Sequence, residues 1–203
     1  MIAIIDYGMG NLRSVEKGFH RAGAEDASVT DRADDVRRAD GLVLPGVGAF
    51  RDAVSNLRSG GMADIVVERA REGVPLLGIC LGMQLLVTKS YEDGEWDGLD
   101  LVPGTCERLP DGVKVPHIGW NTVEYPNPSP LFEGVQEGSA FYFVHSYAVR
   151  PRDESAIIGL TEYGAPFAAS VQNGNVFGVQ FHPEKSSAVG IRVLRNFAGL
   201  VGA

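Results

Sequence analysis

Two cysteines in a chain of 203 residues are too few for a disulfide framework. Cys80 and Cys106 also lie in unlike local sequence, so a bond between them is not expected. Long apolar runs are lacking too, because the most apolar stretch, residues 74–87, contains Gln84 and is shorter than the ~20 residues that cross a membrane. Residues 1–8 lack the basic start of a signal peptide. We therefore expect a protein of the reducing cytoplasm with no membrane partner.

Basic side chains are in the minority, with 18 Lys and Arg against 26 Asp and Glu and a formal net charge of −8. A nucleic-acid-binding protein usually presents a basic face, so nucleic acid is not predicted as a partner. The hydrophobic content of 44% and the charged content of 22% exclude a disordered chain, collagen and a coiled-coil rod. No repeat or linker divides the sequence, which predicts a single domain over residues 1–203.

The first half of the sequence alternates strand and helix signals. Short apolar segments predict strands at residues 2–6, 27–30, 41–44 and 75–79. Segments with helical spacing of apolar residues predict helices at residues 12–22, 50–57, 62–71 and 81–89. Gly23 is expected to end the first helix, and Pro45 is expected to stop the third strand. This alternation is typical of a parallel sheet covered by helices on both faces.

The second half is predicted to consist mainly of strands, before a final helix at residues 189–200. The predicted strands lie at residues 140–149, 156–163, 167–172 and 176–181. The sequence NGN at residues 173–175 indicates a hairpin turn between the last two. We therefore expect an α/β fold of the flavodoxin-like, doubly wound kind, whose mostly parallel sheet is extended by antiparallel strands.

The sequence GICLG at residues 78–82 follows a predicted strand and opens a predicted helix. G-x-S-x-G has this context in the nucleophile elbow, and here Cys80 replaces the serine. The positive end of the following helix favours the thiolate, and the Leu81 N–H is placed to stabilise an oxyanion. A lone cysteine is more often a small buried hydrophobic residue, which stays the alternative for Cys80 and the expectation for Cys106.

A nucleophilic cysteine needs a base that is near in space. His182 follows the last predicted strand directly, and a strand end places an imidazole at the edge where the elbow emerges. Pro183 stiffens the loop, and Glu184 can orient the imidazole as the third member of a triad. A structural loop histidine is the alternative, and His20, on a predicted helix, is expected at the surface.

A dinucleotide-binding site is an alternative for the segment after the first strand. Gly8 and Gly10 follow the first strand, and Asp31 lies about where a ribose-binding acid would stand. The third glycine position holds Arg13, which would block close packing of helix on strand, so this reading is disfavoured. No spacing of cysteines and histidines indicates a zinc site, and no metal is predicted.

The motifs GICLGMQ at residues 78–84 and FHPEKS at residues 181–186 closely resemble those of the class I, or triad, glutamine amidotransferases. Those enzymes hydrolyse glutamine with Cys, His and Glu and release ammonia. Further motifs resemble the glutaminase subunits of imidazole glycerol phosphate synthases: DYGMGN at 6–11, PGVGAF at 45–50, VPHIGWN at 115–121 and YFVHSY at 142–147. The resemblance spans the chain and implies a single class I glutamine amidotransferase domain without a cofactor.

The resemblance also implies residue roles. Cys80 would form a glutamyl thioester, and His182, oriented by Glu184, would protonate the leaving ammonia and then activate water. Other implied sites comprise the oxyanion residues Gly46, Val47 and Leu81 and the substrate-binding residues Gly48, Gln84, Glu92, Ser146 and Tyr147, the last two through their backbone.

A cyclase subunit with a (β/α)8 barrel is the implied partner, which would receive the ammonia within a heterodimer and form imidazole glycerol phosphate in histidine biosynthesis. Residues at or near that interface would be Asn11, His117, Trp120, Tyr142 and Lys185. Residue chemistry alone leaves plainer roles open, such as core packing for Trp120, a sheet position for Tyr142 and a solvated charge for Lys185.

Three rival functions remain at this point. Another amidotransferase, such as that of anthranilate or pyridoxal phosphate synthesis, is disfavoured by Lys185 and the motif PHIGWN. A stand-alone cysteine hydrolase or peptidase is disfavoured by Gln84, which suits a small amino-acid substrate. A non-catalytic interaction module is disfavoured by the intact set of Cys80, His182 and Glu184.

Overall fold

The computed structural model describes residues 1–202. In chain order its strands are β1 (Ile2–Ile5), β2 (Ala27–Thr30), β3 (Gly41–Gly46), β4 (Leu76–Cys80), β5 (Val87–Ser90), β6 (Trp96–Asp97), β7 (Val102–Arg108), β8 (His117–Val123), β9 (Ser139–His145), β10 (Tyr147–Pro151), β11 (Ile157–Glu162), β12 (Pro166–Asn173) and β13 (Val176–Val179). Its helices are α1 (Leu12–Ala22), α2 (Ala33–Arg38), α3 (Phe50–Ser59), α4 (Met62–Arg71), α5 (Leu81–Leu85) and α6 (Ser187–Leu200). None of the helices within residues 1–202 is long and apolar enough to cross a membrane.

The central sheet has seven strands in the order β11-β12-β13-β4-β3-β1-β2. The five strands from β13 to β2 are parallel, and β12 and β11 continue the sheet antiparallel. The parallel part reproduces the flavodoxin-like order 2-1-3-4-5, with β13 in fifth place. This confirms the predicted fold class, including the antiparallel extension.

Helices cover both faces of this sheet because successive residues of a strand point to opposite sides. In β1, Ile4 joins the core beneath α1 and α6, whereas Ile5 joins the core beneath α3 and α4. Phe19 of α1 meets Phe197 of α6 edge to face, with ring centroids 6.2 Å apart. Phe50 is fully buried at the start of α3. Burial of each such side chain contributes about 1.5–3 kcal/mol and fixes both layers on the sheet.

Two predicted boundaries around the elbow are wrong. The helix predicted over residues 81–89 ends at Leu85, and β5 follows from Val87. Val87 is β-branched and pairs with Val102 of β7, and apolar periodicity cannot distinguish a short strand from a buried helix. Pro45 does not stop β3, which continues to Gly46, because proline still offers a carbonyl although it lacks an N–H.

The second half contains more strands than the sequence predicts. The segment predicted as one strand over residues 140–149 is interrupted at Ser146, since β9 pairs with β8 whereas β10 joins a separate sheet of order β10-β7-β5-β6. Strands β6, β7 and β8 are absent from the prediction. The hairpin at residues 173–175 is confirmed, with Asn173 opposite Val176 and Gly174 at a φ of +58°.

Candidate active site

Cys80 occupies the turn between β4 and α5, at the carboxyl edge of the central sheet. Its φ of +55° is a left-handed conformation that is strained for any residue other than glycine. Gly78 and Gly82 make this turn possible, because a Cβ on Gly78 would lie 2.7 Å from the Gly82 carbonyl oxygen, and a Cβ on Gly82 would overlap the Leu44 carbonyl. The segment therefore has the geometry of a nucleophile elbow.

The segment following β3 runs beside the nucleophile. In the β3–β4 register Gly46 lies opposite Cys80, which brings Val47 next to the elbow. Gly46 has no room for a side chain, since a Cβ there would lie 2.5 Å from the Tyr7 hydroxyl oxygen. That hydroxyl donates to the Pro45 carbonyl at 2.7 Å and fixes the chain just before Gly46. Val47 itself is exposed, so the strand changes from buried to exposed within two residues.

His182 and Glu184 form a buried pair on the loop after β13. Nδ1 of His182 lies 2.9 Å from Oε1 of Glu184, and only 5% of the histidine side chain and 1% of the glutamate side chain are exposed. The backbone on both sides is held, because the His182 N–H donates to the Tyr142 carbonyl and the Ser186 hydroxyl donates to the His182 carbonyl. The imidazole therefore has a fixed orientation, with Nε2 left for chemistry.

The electrostatics of His182 favour the imidazolium form. Burial alone lowers the pKa of His182, but hydrogen bonds to Cys80 and Glu184 outweigh burial and raise this pKa from 6.5 to about 9. A histidine that stays protonated near neutral pH beside a cysteine sulfur is suited to stabilise a thiolate and then to deliver a proton. The arrangement thus combines groups suited to act as a nucleophile, an acid–base group and an orienting carboxylate.

A cavity of about 260 Å³ opens beside the sulfur. It brings together every predicted substrate residue, namely Gly48, Gln84, Glu92, Ser146 and Tyr147. Its lining also includes Val47, Cys80, Leu81, His182 and Lys185. A larger cavity of about 660 Å³ lies elsewhere, between Asn127 and Phe167, but no cysteine or histidine lines it. Chemistry rather than size therefore identifies the smaller cavity as the candidate site.

The side chains of Gln84 and Glu92 in this cavity already make hydrogen bonds within the protein. Gln84 uses its Nε2 twice, donating to the Tyr147 carbonyl and to Oε1 of Gln180, each at 3.0 Å. Glu92 accepts a hydrogen bond from the Phe50 N–H at 2.9 Å, and burial raises its pKa. What remains for a ligand is the oxygen of Gln84 and the second carboxylate oxygen of Glu92, both of which are acceptors.

Of the predicted interface residues, Lys185 lines the cavity, Trp120 and Asn11 are exposed, Tyr142 is half-buried and His117 is buried. Trp120 is 54% exposed and meets Tyr142 edge to face at 5.9 Å, and Lys185 Nζ lies 6.0 Å from the centre of the same tyrosine ring. Asn11 is also exposed. His117 is buried, and its Nδ1 lies 2.9 Å from Nε2 of His145, so it supports this surface from beneath.

Two buried side chains near the sulfur were not singled out from the sequence. Gln180 is fully buried with its Nε2 3.7 Å from the Cys80 sulfur, and His145 is buried with a pKa lowered to about 4, chiefly by burial. The available signal for Gln180 was a polar residue at the end of an apolar strand, two residues before the predicted base. Cys106 is buried and, like Cys80, free of any disulfide.

No group of three or more His, Cys, Asp or Glu side chains within residues 1–202 is arranged to hold a metal ion.

The family described as glutamine amidotransferase class-I matches residues 3–199. The imidazole glycerol phosphate synthase subunit HisH of Moorella thermoacetica is 57% identical over 200 residues, which cover 98% of this chain and 95% of that protein. The protein of the same name from Aquifex aeolicus is 48% identical over 194 residues, covering 96% and 94%.

Solved structures agree on the fold. A crystal structure of a glutamine amidotransferase superposes with a TM-score of 0.77 at 23% identity and covers all of both chains. A structure of PurLQS from Thermotoga maritima gives a TM-score of 0.75 at 19% identity, covering 98% of this chain and 97% of that one. By its family match and its curated relatives, this chain belongs to the class I glutamine amidotransferases, within the family of imidazole glycerol phosphate synthase subunit HisH.

Proposed function

We propose that this chain is the glutaminase subunit of an imidazole glycerol phosphate synthase. It hydrolyses L-glutamine to glutamate and ammonia and passes the ammonia to a cyclase subunit. The observation that carries the chemical part of this proposal is the meeting of Cys80 and His182 at one cavity, with the sulfur on a strained elbow and the imidazole held from behind by the buried carboxylate of Glu184.

The reaction follows from these three groups. The Cys80 thiolate attacks the side-chain amide carbon of glutamine, a C–S bond forms, and the carbonyl oxygen takes the negative charge. When the C–N bond breaks, His182 gives its proton to the nitrogen, and ammonia leaves. His182 then removes a proton from water, the resulting hydroxide attacks the thioester, and the C–S bond breaks to release glutamate. Glu184 holds the imidazole throughout and stabilises its charged form.

The developing oxyanion is stabilised by backbone N–H groups. Leu81 begins α5, so its N–H has no partner within the helix. The Val47 N–H is the second donor when the Gly46–Val47 peptide is turned toward the sulfur. Glycine at 46 and at 48, the latter with a φ of +103°, permits this peptide to rotate at little steric cost. Losing one such donor slows acyl transfer about a hundred- to a thousand-fold.

The cavity is suited to a free amino acid. Its volume of about 260 Å³ is below the range of drug-sized pockets, which leaves little space for a peptide. Gln84 and Glu92 offer acceptor oxygens, which match the α-ammonium group of glutamine. The backbone of Ser146 and Tyr147 lies on the same wall and would meet the α-carboxylate. Selection for glutamine thus comes from its charged end, whereas the reacting amide lies at Cys80.

The partner is proposed to be a (β/α)8-barrel cyclase subunit in a cytoplasmic heterodimer. Lys185 lines the cavity, and the exposed Trp120 packs against the Tyr142 ring that Lys185 also faces. Large exposed apolar side chains such as Trp120 are typical of interaction sites. A barrel seated there would close the cavity from solvent and receive ammonia directly. Closure would also position the exposed Val47 and with it the second oxyanion donor.

The test measures glutamine turnover by the chain alone, with the cyclase subunit, and with the cyclase subunit plus its ribonucleotide ligand. We expect little turnover alone and an increase of roughly a hundred-fold or more with partner and ligand, the value of one oxyanion donor. Cys80→Ala should abolish hydrolysis, bind the cyclase normally and support cyclisation with added ammonia. Wild-type hydrolysis by Cys80→Ala would refute the catalytic assignment, and equal turnover in all three states would refute the activation.

A further inference from the structure

Gln180 is a buried polar side chain beside the sulfur to which the reaction above gives no role. It follows β13 directly, two residues before His182, and is fully shielded from solvent. Its Nε2 lies 3.7 Å from the Cys80 sulfur, and its Oε1 lies 3.0 Å from Nε2 of Gln84. Burying an amide is unfavourable unless its hydrogen bonds are made, so these contacts are what stabilise it there.

The direction of these hydrogen bonds is fixed at their far end. The Tyr147 carbonyl oxygen can only accept, so the atom of Gln84 that lies 3.0 Å from it is a nitrogen. The same nitrogen faces Gln180, whose nearer atom is therefore an oxygen. The other half of the Gln180 amide is its NH2 group, and this group is turned toward the Cys80 sulfur.

The Tyr147 carbonyl is held by a second donor, since Nδ1 of His145 lies 2.8 Å from its oxygen. Turning the Gln84 amide around would set its oxygen against that carbonyl and remove two hydrogen bonds. The orientation of Gln180 is thus imposed by neighbours on the side away from the nucleophile. The donor remains directed at the sulfur whatever the protonation state of Cys80.

Besides the imidazole of His182, the sulfur has one acceptor and one donor within reach. The Val144 carbonyl oxygen is 3.6 Å from the sulfur, and the Gln180 amide nitrogen is 3.7 Å from it. A neutral Cys80 thiol can donate to the carbonyl, and a thiolate can accept from the amide. Deprotonation therefore exchanges one partner for the other without moving the side chain.

We infer that Gln180 is a positioning residue of the glutaminase reaction. Its amide N–H holds the Cys80 thiolate in place for attack, and its amide oxygen connects this contact to the substrate-binding side chain Gln84. The inference rests on the proposed function. Gln180 exchanges no proton with the substrate, because a carboxamide donates hydrogen bonds but does not ionise near neutral pH. Its contribution is to the geometry and charge of the sulfur before and during attack.

The first test compares Gln180→Met with Gln172→Met in the complex with cyclase subunit and ligand. Gln172, on the neighbouring strand β12, is a matched control because its amide also makes two hydrogen bonds but lies away from the sulfur. A hydrogen bond to a charged group corresponds to a factor of about ten to a hundred, so kcat should fall by that factor in Gln180→Met, with KM within about threefold. Gln172→Met should keep the wild-type kcat.

Alkylation of the nucleophile separates positioning of the sulfur from substrate binding. Iodoacetamide requires the Cys80 thiolate but neither Gln84 nor the oxyanion donors, so its rate with Gln180→Met should fall about as much as kcat. Co-elution of each variant with the cyclase subunit shows that it is folded. A change confined to KM, or alkylation of Gln180→Met at the wild-type rate, would overturn the inference.

Gln180→Glu is a second variant that preserves the shape of the side chain. One carboxyl oxygen can still accept from Gln84, and the other faces the sulfur, where it donates only when protonated. Burial raises the pKa of carboxyl groups, so the activity of this variant relative to wild type should increase as the pH is lowered from about 8 to about 6. Cys80, His182 and His145 are present in both proteins, so the ratio removes the part of their pH dependence that the two proteins share. A ratio independent of pH would count against the inference.

The two levels of the proposal fail separately. If Cys80→Ala is inactive while Gln180→Met keeps the wild-type kcat and alkylation rate, the glutaminase assignment stands and the role of Gln180 is wrong. If Cys80→Ala hydrolyses glutamine at the wild-type rate, the proposed function itself is wrong.

Discussion

Replacing Glu184 by glutamine removes one charge from the triad and almost no volume. The amide keeps an oxygen that can accept from Nδ1 of His182, where the carboxylate now accepts at 2.9 Å, so the imidazole should keep its orientation. What is lost is the electrostatic support of the imidazolium. With both partners in place the pKa of His182 is raised from 6.5 to about 9 against the opposing effect of burial.

The raised pKa of His182 sets the size of the expected loss of activity. At about 1.4 kcal/mol for each pH unit, the net preference for the imidazolium is about 3 kcal/mol, and Glu184 shares it with Cys80. We therefore expect Glu184→Gln to lower kcat/KM by roughly ten- to a hundred-fold. Replacing His182 by alanine removes the acid–base group altogether and should be more damaging. In serine proteases loss of the orienting acid costs about ten-thousand-fold, but a thiolate needs less assistance than a hydroxyl.

The assay is glutamine hydrolysis by the complex with cyclase subunit and ligand, followed over pH. Because Glu184→Gln lowers the pKa of His182, the imidazolium loses its proton at lower pH. The alkaline limb of the pH profile of kcat/KM should therefore shift to lower pH. Glu68→Gln makes the same chemical change at an exposed glutamate and should match the wild type. A Glu184→Gln enzyme slower than His182→Ala, or an unmoved alkaline limb, would refute the reasoning.

Three further comparisons test the site and its surroundings. Tyr7→Phe removes a buried hydrogen bond to the Pro45 carbonyl and should lower the free energy of unfolding by about 1–3 kcal/mol. Tyr163→Phe removes an exposed hydrogen bond and should change the free energy of unfolding by no more than about 0.5 kcal/mol. Equal losses for the two variants in chemical denaturation would contradict this. The raised pKa of His182 adds stability that is fully present below pH 6.5 and is lost as the pH rises through about 9. The free energy of unfolding of wild type relative to His182→Asn should therefore decrease by up to about 3 kcal/mol over this range. A difference that does not change with pH would contradict the raised pKa. Lys185→Ala should reduce stimulation by the cyclase subunit yet leave the thermal midpoint of the chain alone nearly unchanged, because an exposed lysine contributes little to folding; unchanged stimulation would exclude a role at the interface.

The parts of the site that the sequence predicts are those set by local rules. A nucleophile elbow depends on a strand, a turn and glycines two residues on either side of Cys80, all within one short segment. The pair of His182 and Glu184 is likewise local, since the two residues are neighbours on one loop. The central sheet could be predicted because its parallel strands are short apolar runs separated by amphipathic helices.

The parts that the sequence does not predict depend on contacts between distant segments. Gln84 and Gln180 are 96 positions apart and meet only because β4 and β13 are neighbours in the sheet. The early end of α5 has the same cause, since Val87 pairs with a strand that begins at Val102. Period and propensity contain no information about such partners, so pairing across the fold decides the outcome.

The segment after β3 is where the chemistry and the predicted partner surface meet. Gly46 is buried and fixed opposite Cys80, and one residue later Val47 is 43% exposed. The Val47 N–H, which is the proposed second oxyanion donor, therefore belongs to a peptide whose Gly46 end is buried and fixed and whose Val47 end is exposed. Within residues 1–202 the Tyr7 hydroxyl holds the Pro45 carbonyl, whereas no side-chain hydrogen bond reaches the backbone of residues 47–49, and the next one joins the Phe50 N–H to the Glu92 carboxylate. A partner that covers Val47 would restrain the second end, so the proposed control of glutamine hydrolysis requires no movement of Cys80, His182 or the central sheet.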